Sequence, residues 1–162
     1  MEKEYYTWEN FNNGILSISR QCVLDNFIPD IVVGIQRGGL IPAVQLSHYF
    51  NCPMGSVDLS LRDKKTTYNY DDQQIAKQIF MYQNHYNRIL LVDDICDSGA
   101  TLDTLFKTEI SSGLPLSLGL YERIKTAVLH NNIGQDLFNV DYYHKEINKL
   151  ENDIWLVYPW EY

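Results

Sequence analysis

Hydrophobic and polar positions alternate along the chain in a way that marks out its elements. From Trp8 to about Asn26, Ile15, Ile18, Val23 and Leu24 recur among polar residues, which predicts an amphipathic helix. Pro29 and Asp30 interrupt it, and the unbroken apolar run IVVGI, Ile31 to Ile35, then predicts a strand covered on both faces. That run ends in Gln36-Arg37-Gly38-Gly39, and Leu40 to Phe50 reads as the following helix. Met54 to Leu61 alternates as a strand does, whereas Arg62 to Gln74 is polar and charged and predicts a loop. Ile89 to Val92 is a second buried strand, Ala100 to Glu109 a helix, and Pro115 to Tyr121 another strand. Arg123 to Gln135 carries no clear period and reads as irregular, and Ile154 to Trp160 is a final strand or extended tail. No repeat or linker divides the 162 residues, so a single domain, 1–162, is expected.

Strand, loop and helix succeed one another in this order in α/β folds with a mostly parallel sheet. Such sheets bind ligands beyond the carboxyl ends of their strands, near a reversal of strand order. The loops after Ile35 and after Val92 both leave predicted carboxyl ends and would open on the same edge.

The stretch RILLVDDICDSGATL, Arg88 to Leu102, drives an apolar strand straight into two adjacent carboxylates, Asp93 and Asp94. Asp97 follows, then the small residues Ser98, Gly99, Ala100 and Thr101 at the start of a helix. Small residues let backbone N–H groups approach an anion, and the helix dipole favours negative charge there. A helix cap alone would need no ligand. Adjacent acids beside such a turn, however, suit sugar hydroxyls or Mg²⁺ better than they suit the end of a strand.

Composition narrows the partners. A net charge of −8 argues against a nucleic-acid or anionic-membrane surface, so the cations for any small anionic substrate must be local. The three cysteines, Cys22, Cys52 and Cys96, are odd in number and lack metal-ligand spacing, which suggests reduced thiols and a cytoplasmic protein. The first residues do not read as a signal peptide, and no apolar run approaches membrane-spanning length.

The run ILLVDDICDSGATL resembles the signature of type I phosphoribosyltransferases, which bind 5-phosphoribosyl-1-pyrophosphate (PRPP). The resemblance implies that Asp93 and Asp94 hold the ribose hydroxyls, with Asp94 near Mg²⁺. Asp97 would accept a proton from the transferred base, and Ser98, Gly99, Ala100 and Thr101 would bind the 5′-phosphate. VGIQRGGLIPA, Val33 to Ala43, is similar to the family's pyrophosphate loop, with Arg37 and Gly38 as the contacts and a cis peptide expected at Gln36–Arg37. Residues of about 60–74, carrying Arg62, Lys64 and Lys65, match the family's hood loop.

The tail of about 141–162 resembles that of the xanthine-guanine and hypoxanthine enzymes. By position Trp155 would stack on a purine, the Leu156 backbone would meet its edge, and Glu161 would lie near the pyrophosphate or a second metal. Enzymes for 6-oxopurines place a lysine at the end of the strand before this tail. In the register read from SLGLYERIK, Ser117 to Lys125, Glu122 takes that slot; facing the base it would repel O6, and a cation, Arg123 beside it or else Lys125, is expected to reach the base instead. The implied function is transfer of ribose-5-phosphate from PRPP to a nucleobase, most simply a 6-oxopurine, by a homodimer or homotetramer. The alternatives are another base, or a non-catalytic sensor of PRPP.

Overall fold

The computed structural model describes residues 2–59, 72–111 and 123–161. The elements run β1 (Glu2–Tyr5), α1 (Trp8–Leu24), β2 (Ile31–Gln36), α2 (Leu40–Phe50), β3 (Met54–Asp58), α3 (Asp72–Gln83), β4 (Ile89–Cys96), α4 (Ala100–Ser111), β5 (Ile124–Asn132), β6 (Tyr142–Ile147) and β7 (Ile154–Val157). Five strands form one sheet in the order β3-β2-β4-β5-β6, and every pairing is parallel. β1 and β7 pair separately, also in parallel.

Local chemistry sets the helix ends. Thr7, extended, caps α1 by accepting the Asn10 N–H at 3.1 Å, and Glu9 adds a negative charge to the first turn. The chain leaves α1 and α2 through Asn26 (φ 54°) and Asn51 (φ 50°), a residue type that tolerates the left-handed region.

Helices cover both faces of the sheet. On one face Val32, Leu90, Val92, Ala127 and Leu129 share a core with Phe11, Ile15 and Ile18 of α1 and Ala43 and Leu46 of α2. On the other, Ile31, Val33, Ile35, Leu91 and Val128 pack with Ile79 of α3 and Leu102 and Leu105 of α4. Burial on both faces is why IVVGI and ILLV are unbroken apolar runs. Among the described residues no helix is long and apolar enough to cross a membrane.

The site is positioned by where strand order reverses. The chain steps from β2 outward to β3, then returns to add β4 on the opposite side of β2. β2 and β4 therefore flank the switch point, where such sheets open a crevice. Their pairing stops at Gly34 opposite Val92, while β4 stays paired to β5 through Asp93–Val128, Ile95–His130 and Cys96–Asn131. β4 is thus longer than its apolar run, and Asp93 and Asp94 ride on the strand rather than on a loop after it.

The larger correction is β5, which occupies most of the segment expected to be irregular. Thr126, His130 and Asn132 interrupt its apolar pattern, yet all are buried. Distant partners make that burial tolerable: Thr126 is tied to Asp141, donating from its hydroxyl at 2.9 Å and from its N–H at 2.8 Å. The first turn of α3 takes Asp72 to Gln74 from the expected loop. β1 and β6 carry no sequence signal, because β1 is exposed throughout and β6 buries only Tyr142. The expected strand Pro115 to Tyr121, Glu122, and 60–71 of the expected hood lie outside the described residues.

Candidate active site

The carboxyl ends of β2 and β4 bound a cleft of about 740 Å³. Gln36, Arg37 and Gly38 form one wall and Asp93 to Leu102 the other, with Trp155, Trp160 and Glu161 closing over them. The structure therefore brings together Arg37, Gly38, Asp93, Asp94, Asp97, Ser98, Gly99, Ala100, Thr101, Trp155 and Glu161. Leu156 lies next to Trp155 with its side chain in the core, so only its main chain is left to face a ligand. Arg123 is not brought there. It precedes β5, at the sheet edge opposite the cleft, and its guanidinium donates to the backbone oxygens of Gln83 (2.9 Å), Tyr86 (2.6 Å) and Asn87 (3.3 Å). The expectation of a base contact from Arg123 is corrected accordingly: that fork is spent on carbonyls after α3.

In the loop after β2 the Gln36–Arg37 peptide is cis. Arg37 is exposed and is the cation among the described lining residues. Gly38 lies directly against the Asp94 carboxylate, so closely that a Cβ built on it would overlap Asp94 Oδ2. Glycine is needed there for close approach.

The turn after β4 builds a helix N-terminus. Ser98 Oγ accepts the Ala100 N–H at 3.4 Å, and the Gly99 carbonyl accepts the Asp103 N–H at 2.9 Å, opening α4. Gly99 has φ +75°, and a Cβ there would meet Gln135 Oε1 at 2.7 Å. Both the backbone angle and the packing of the loop after β5 therefore demand glycine. The turn offers backbone donors and the helix dipole to an anion. Beside it, Asp93 Oδ1 accepts the Asp94 N–H at 2.9 Å, which fixes one carboxylate relative to the next.

Asp97 sits in a cross-brace of three chain segments. Asn132, ending β5, donates from Nδ2 to the Asp97 carbonyl at 3.0 Å and to its Oδ1 at 3.4 Å. Lys149, between β6 and β7, donates from Nζ to Asp97 Oδ2 at 2.9 Å. Asn132 Oδ1 in turn accepts the Lys149 N–H at 3.1 Å. Neither Asn132 nor Lys149 is among the residues expected from sequence. The polar triplet His130-Asn131-Asn132 after an apolar run was a signal for the first; Lys149 had none.

Behind the acids lies a buried hydrogen-bond relay. Tyr158 donates its hydroxyl to the Asp94 carbonyl at 3.0 Å and lies 2.9 Å from His130 Nδ1. With that hydroxyl proton committed to Asp94, His130 Nδ1 is the donor to Tyr158. Burial, reinforced by the charges of Asp94 and Asp93, pushes the Tyr158 phenol well up, so it remains a donor. The Cys96 thiol is pushed up to about 11, mainly by burial and then by Asp93 and Asp97. It stays protonated, which removes it as a nucleophile.

Burial pushes His130 down to about 3, with the charge of Lys145 a lesser cause. The unfolded chain therefore takes up the proton first on acidification, and the stability His130 contributes above pH ~6.5 is lost as pH falls toward about 3. We expect stability to urea to fall between about pH 7 and pH 5, by up to about 1.4 kcal/mol per pH unit, and the fall to be shallower in His130→Gln. Parallel pH dependences for the two proteins would show that His130 is not the titrating group.

Comparisons with known proteins agree with this geometry. The profile of the phosphoribosyl transferase domain family matches residues 1–162. The chain is 32% identical over 146 residues to the xanthine-guanine phosphoribosyltransferase of Cereibacter sphaeroides, covering 85% of this chain and 72% of that protein. The purine phosphoribosyltransferase of Pyrococcus horikoshii superposes with a TM-score of 0.68 at 26% identity, over 100% of this chain and 96% of that one. The Helicobacter pylori xanthine-guanine-hypoxanthine enzyme shares the fold, with a TM-score of 0.70 at 19% identity over 99% and 94% of the two chains.

Proposed function

The chain belongs to the phosphoribosyl transferase family and is a purine phosphoribosyltransferase, and we propose that its acceptor is a 6-oxopurine, joined to ribose in the cleft between β2 and β4. The observation that carries this reading is the meeting, in one cleft, of a helix N-terminal turn, the acids Asp93, Asp94 and Asp97, and the Arg37–Gly38 loop.

Each part answers a chemical need. The turn Ser98 to Thr101 binds the 5′-phosphate through backbone N–H groups and hydroxyls. Asp93 and Asp94 accept from the ribose hydroxyls. Arg37 supplies a forked donor to the pyrophosphate. Trp155, 45% exposed on the cleft wall, offers a face for stacking the base, and the main chain of Leu156 its edge contact. During transfer the bond from C1 of ribose to the pyrophosphate oxygen breaks and its electron pair leaves with pyrophosphate. N9 of the purine forms the new bond, and the N7 proton passes to Asp97. Positive charge develops on the sugar, and the neighbouring carboxylates stabilise it.

The acids also fit Mg²⁺. Among the described residues no cluster of His, Cys, Asp or Glu could hold a metal alone, but Mg²⁺ with a phosphorylated substrate needs only one or two carboxylates. The Asp94 carboxylate, against Gly38, stands beside the pyrophosphate loop, and Glu161 lines the same cleft while its Oε2 accepts the Tyr158 N–H at 3.0 Å. Asp94 would hold the ion, with Glu161 available to a second one. Bound there, Mg²⁺ supplies charge neutralisation for the departing pyrophosphate. Assembly into a dimer or tetramer and a cytoplasmic setting, which the unpaired cysteines suit, complete the proposal.

The test is a panel of bases, each incubated with the full chain, PRPP and Mg²⁺, with pyrophosphate and nucleotide product quantified. Nucleotide formation from hypoxanthine, guanine or xanthine is expected. Product from adenine or a pyrimidine alone would overturn the base assignment. PRPP binding without turnover on any base would favour a sensor.

A further inference from the structure

We propose that Tyr158 is a positioning residue for the phosphoribosyl site: its hydroxyl, oriented by His130, holds the Asp94 peptide so that the Asp94 carboxylate is presented to the substrate beside the Gly38 loop. This rests on the assignment of Asp94 to ribose and Mg²⁺ above and adds the device that sets it in place.

Asp94 stands where the sheet narrows. β2 pairs with β4 only as far as Val92, opposite Gly34, so beyond that residue β4 has β5 alone as a strand neighbour. There Tyr158 donates its hydroxyl to the Asp94 carbonyl at 3.0 Å, from 64 positions away in the chain. The carboxylate of the same residue lies against Gly38 on the facing wall of the cleft. Neither Tyr158 nor His130 is among the described residues that line the cleft, so any effect of the hydroxyl on substrate passes through Asp94.

The hydroxyl is itself held from several sides. The Tyr158 ring stacks on Trp160, with centroids 4.9 Å apart and planes at 6°, and meets Tyr6 edge-on at 5.6 Å. Its N–H donates to Glu161 Oε2 at 3.0 Å, and its carbonyl accepts the Glu161 N–H at 3.0 Å. His130 Nδ1 lies 2.9 Å from the hydroxyl and donates to it, because the hydroxyl proton goes to Asp94. With the neutral ring's proton on Nδ1, Nε2 is an acceptor, buried and with no partner among the described residues. A buried unpaired acceptor opposes folding, so stability is a weak reason for a histidine here. A phenylalanine and a leucine would fill the same space without that cost. They would neither orient a hydroxyl nor hold a carbonyl, and the chain carries the pair that does both.

The test compares Tyr158→Phe, His130→Leu, their double variant and Asp94→Asn with the natural chain. PRPP affinity is measured by calorimetry with Mg²⁺ present, KM for PRPP and for the best base of the panel above by steady-state assay, and thermal unfolding without substrate. Tyr158→Phe is expected to weaken PRPP by about threefold to tenfold, the loss of one neutral hydrogen bond, with KM for the base within about twofold. His130→Leu should give part of that loss, and the double variant no more than Tyr158→Phe alone, because the histidine acts through the hydroxyl. Should Tyr158→Phe not fold, His130→Leu carries the same comparison, and PRPP affinity undiminished there would overturn the proposal. A lower melting temperature with PRPP affinity unchanged, or an even loss on both substrates, would overturn it too and leave Tyr158 as a core residue. Additive losses in the double variant would overturn the part given to His130. PRPP affinity undiminished in Asp94→Asn would instead overturn the underlying assignment of Asp94 to the substrate.

Discussion

Asp97→Asn is expected to lower kcat by about two to four orders of magnitude, the usual contribution of a positioned proton acceptor, with PRPP binding nearly intact. The side chain lies at the cleft wall between the phosphate turn and the end of β5, aimed by Lys149 at 2.9 Å and Asn132 at 3.4 Å. The carboxamide keeps the shape but not the capacity to take a proton. It also turns an NH₂ group toward one of two donors, so its orientation suffers. The contacts proposed for ribose and phosphate, on Asp93, Asp94 and the turn Ser98 to Thr101, are untouched, which is why the loss should fall on turnover. Steady-state kcat at saturating base and PRPP, together with PRPP affinity by calorimetry, separates the two effects. Unchanged turnover would reduce Asp97 to a residue that shapes the loop.

Gly38→Ala is expected to raise KM for PRPP by roughly tenfold to a hundredfold, as an overpacking cost of about 1–3 kcal/mol placed at the binding loop. The added methyl would occupy the position of the Asp94 carboxylate. Asp94 has little room to retreat. Its N–H is bound by Asp93 Oδ1, its carbonyl by the Tyr158 hydroxyl, and β4 is paired to β5 on either side of it. Either the acid rotates away from the ribose site or the Arg37 loop lifts, and both weaken PRPP. Circular dichroism should report a folded protein, with the loss confined to substrate affinity. A KM matching that of the natural chain would show that Asp94 moves aside freely and contributes nothing to PRPP binding.

The sequence by itself determined the layered α/β architecture, because strands buried on both faces must be unbroken apolar runs, as IVVGI and ILLV are. The small-residue turn that opens α4 was legible too: small residues after Asp97 and a helix start are local facts, written in consecutive positions. Trp155 and Glu161, singled out from the tail, line the cleft. Tertiary structure alone decided β5 and what stands at its ends. Its interior polar residues are tolerable only because Asp141 meets Thr126, Tyr158 meets His130 and Asp97 meets Asn132. Without those partners the segment has no readable period, and a register counted through it sends Arg123 toward the base instead of to the carbonyls of Gln83, Tyr86 and Asn87. Lys149 reaches Asp97 only because β6 pairs with β5 as far as Ile147 opposite Asn132, which sets the turn after β6 at the carboxyl end of the sheet. A hydrogen bond between groups so far apart in sequence is a property of packing, and no local pattern encodes it.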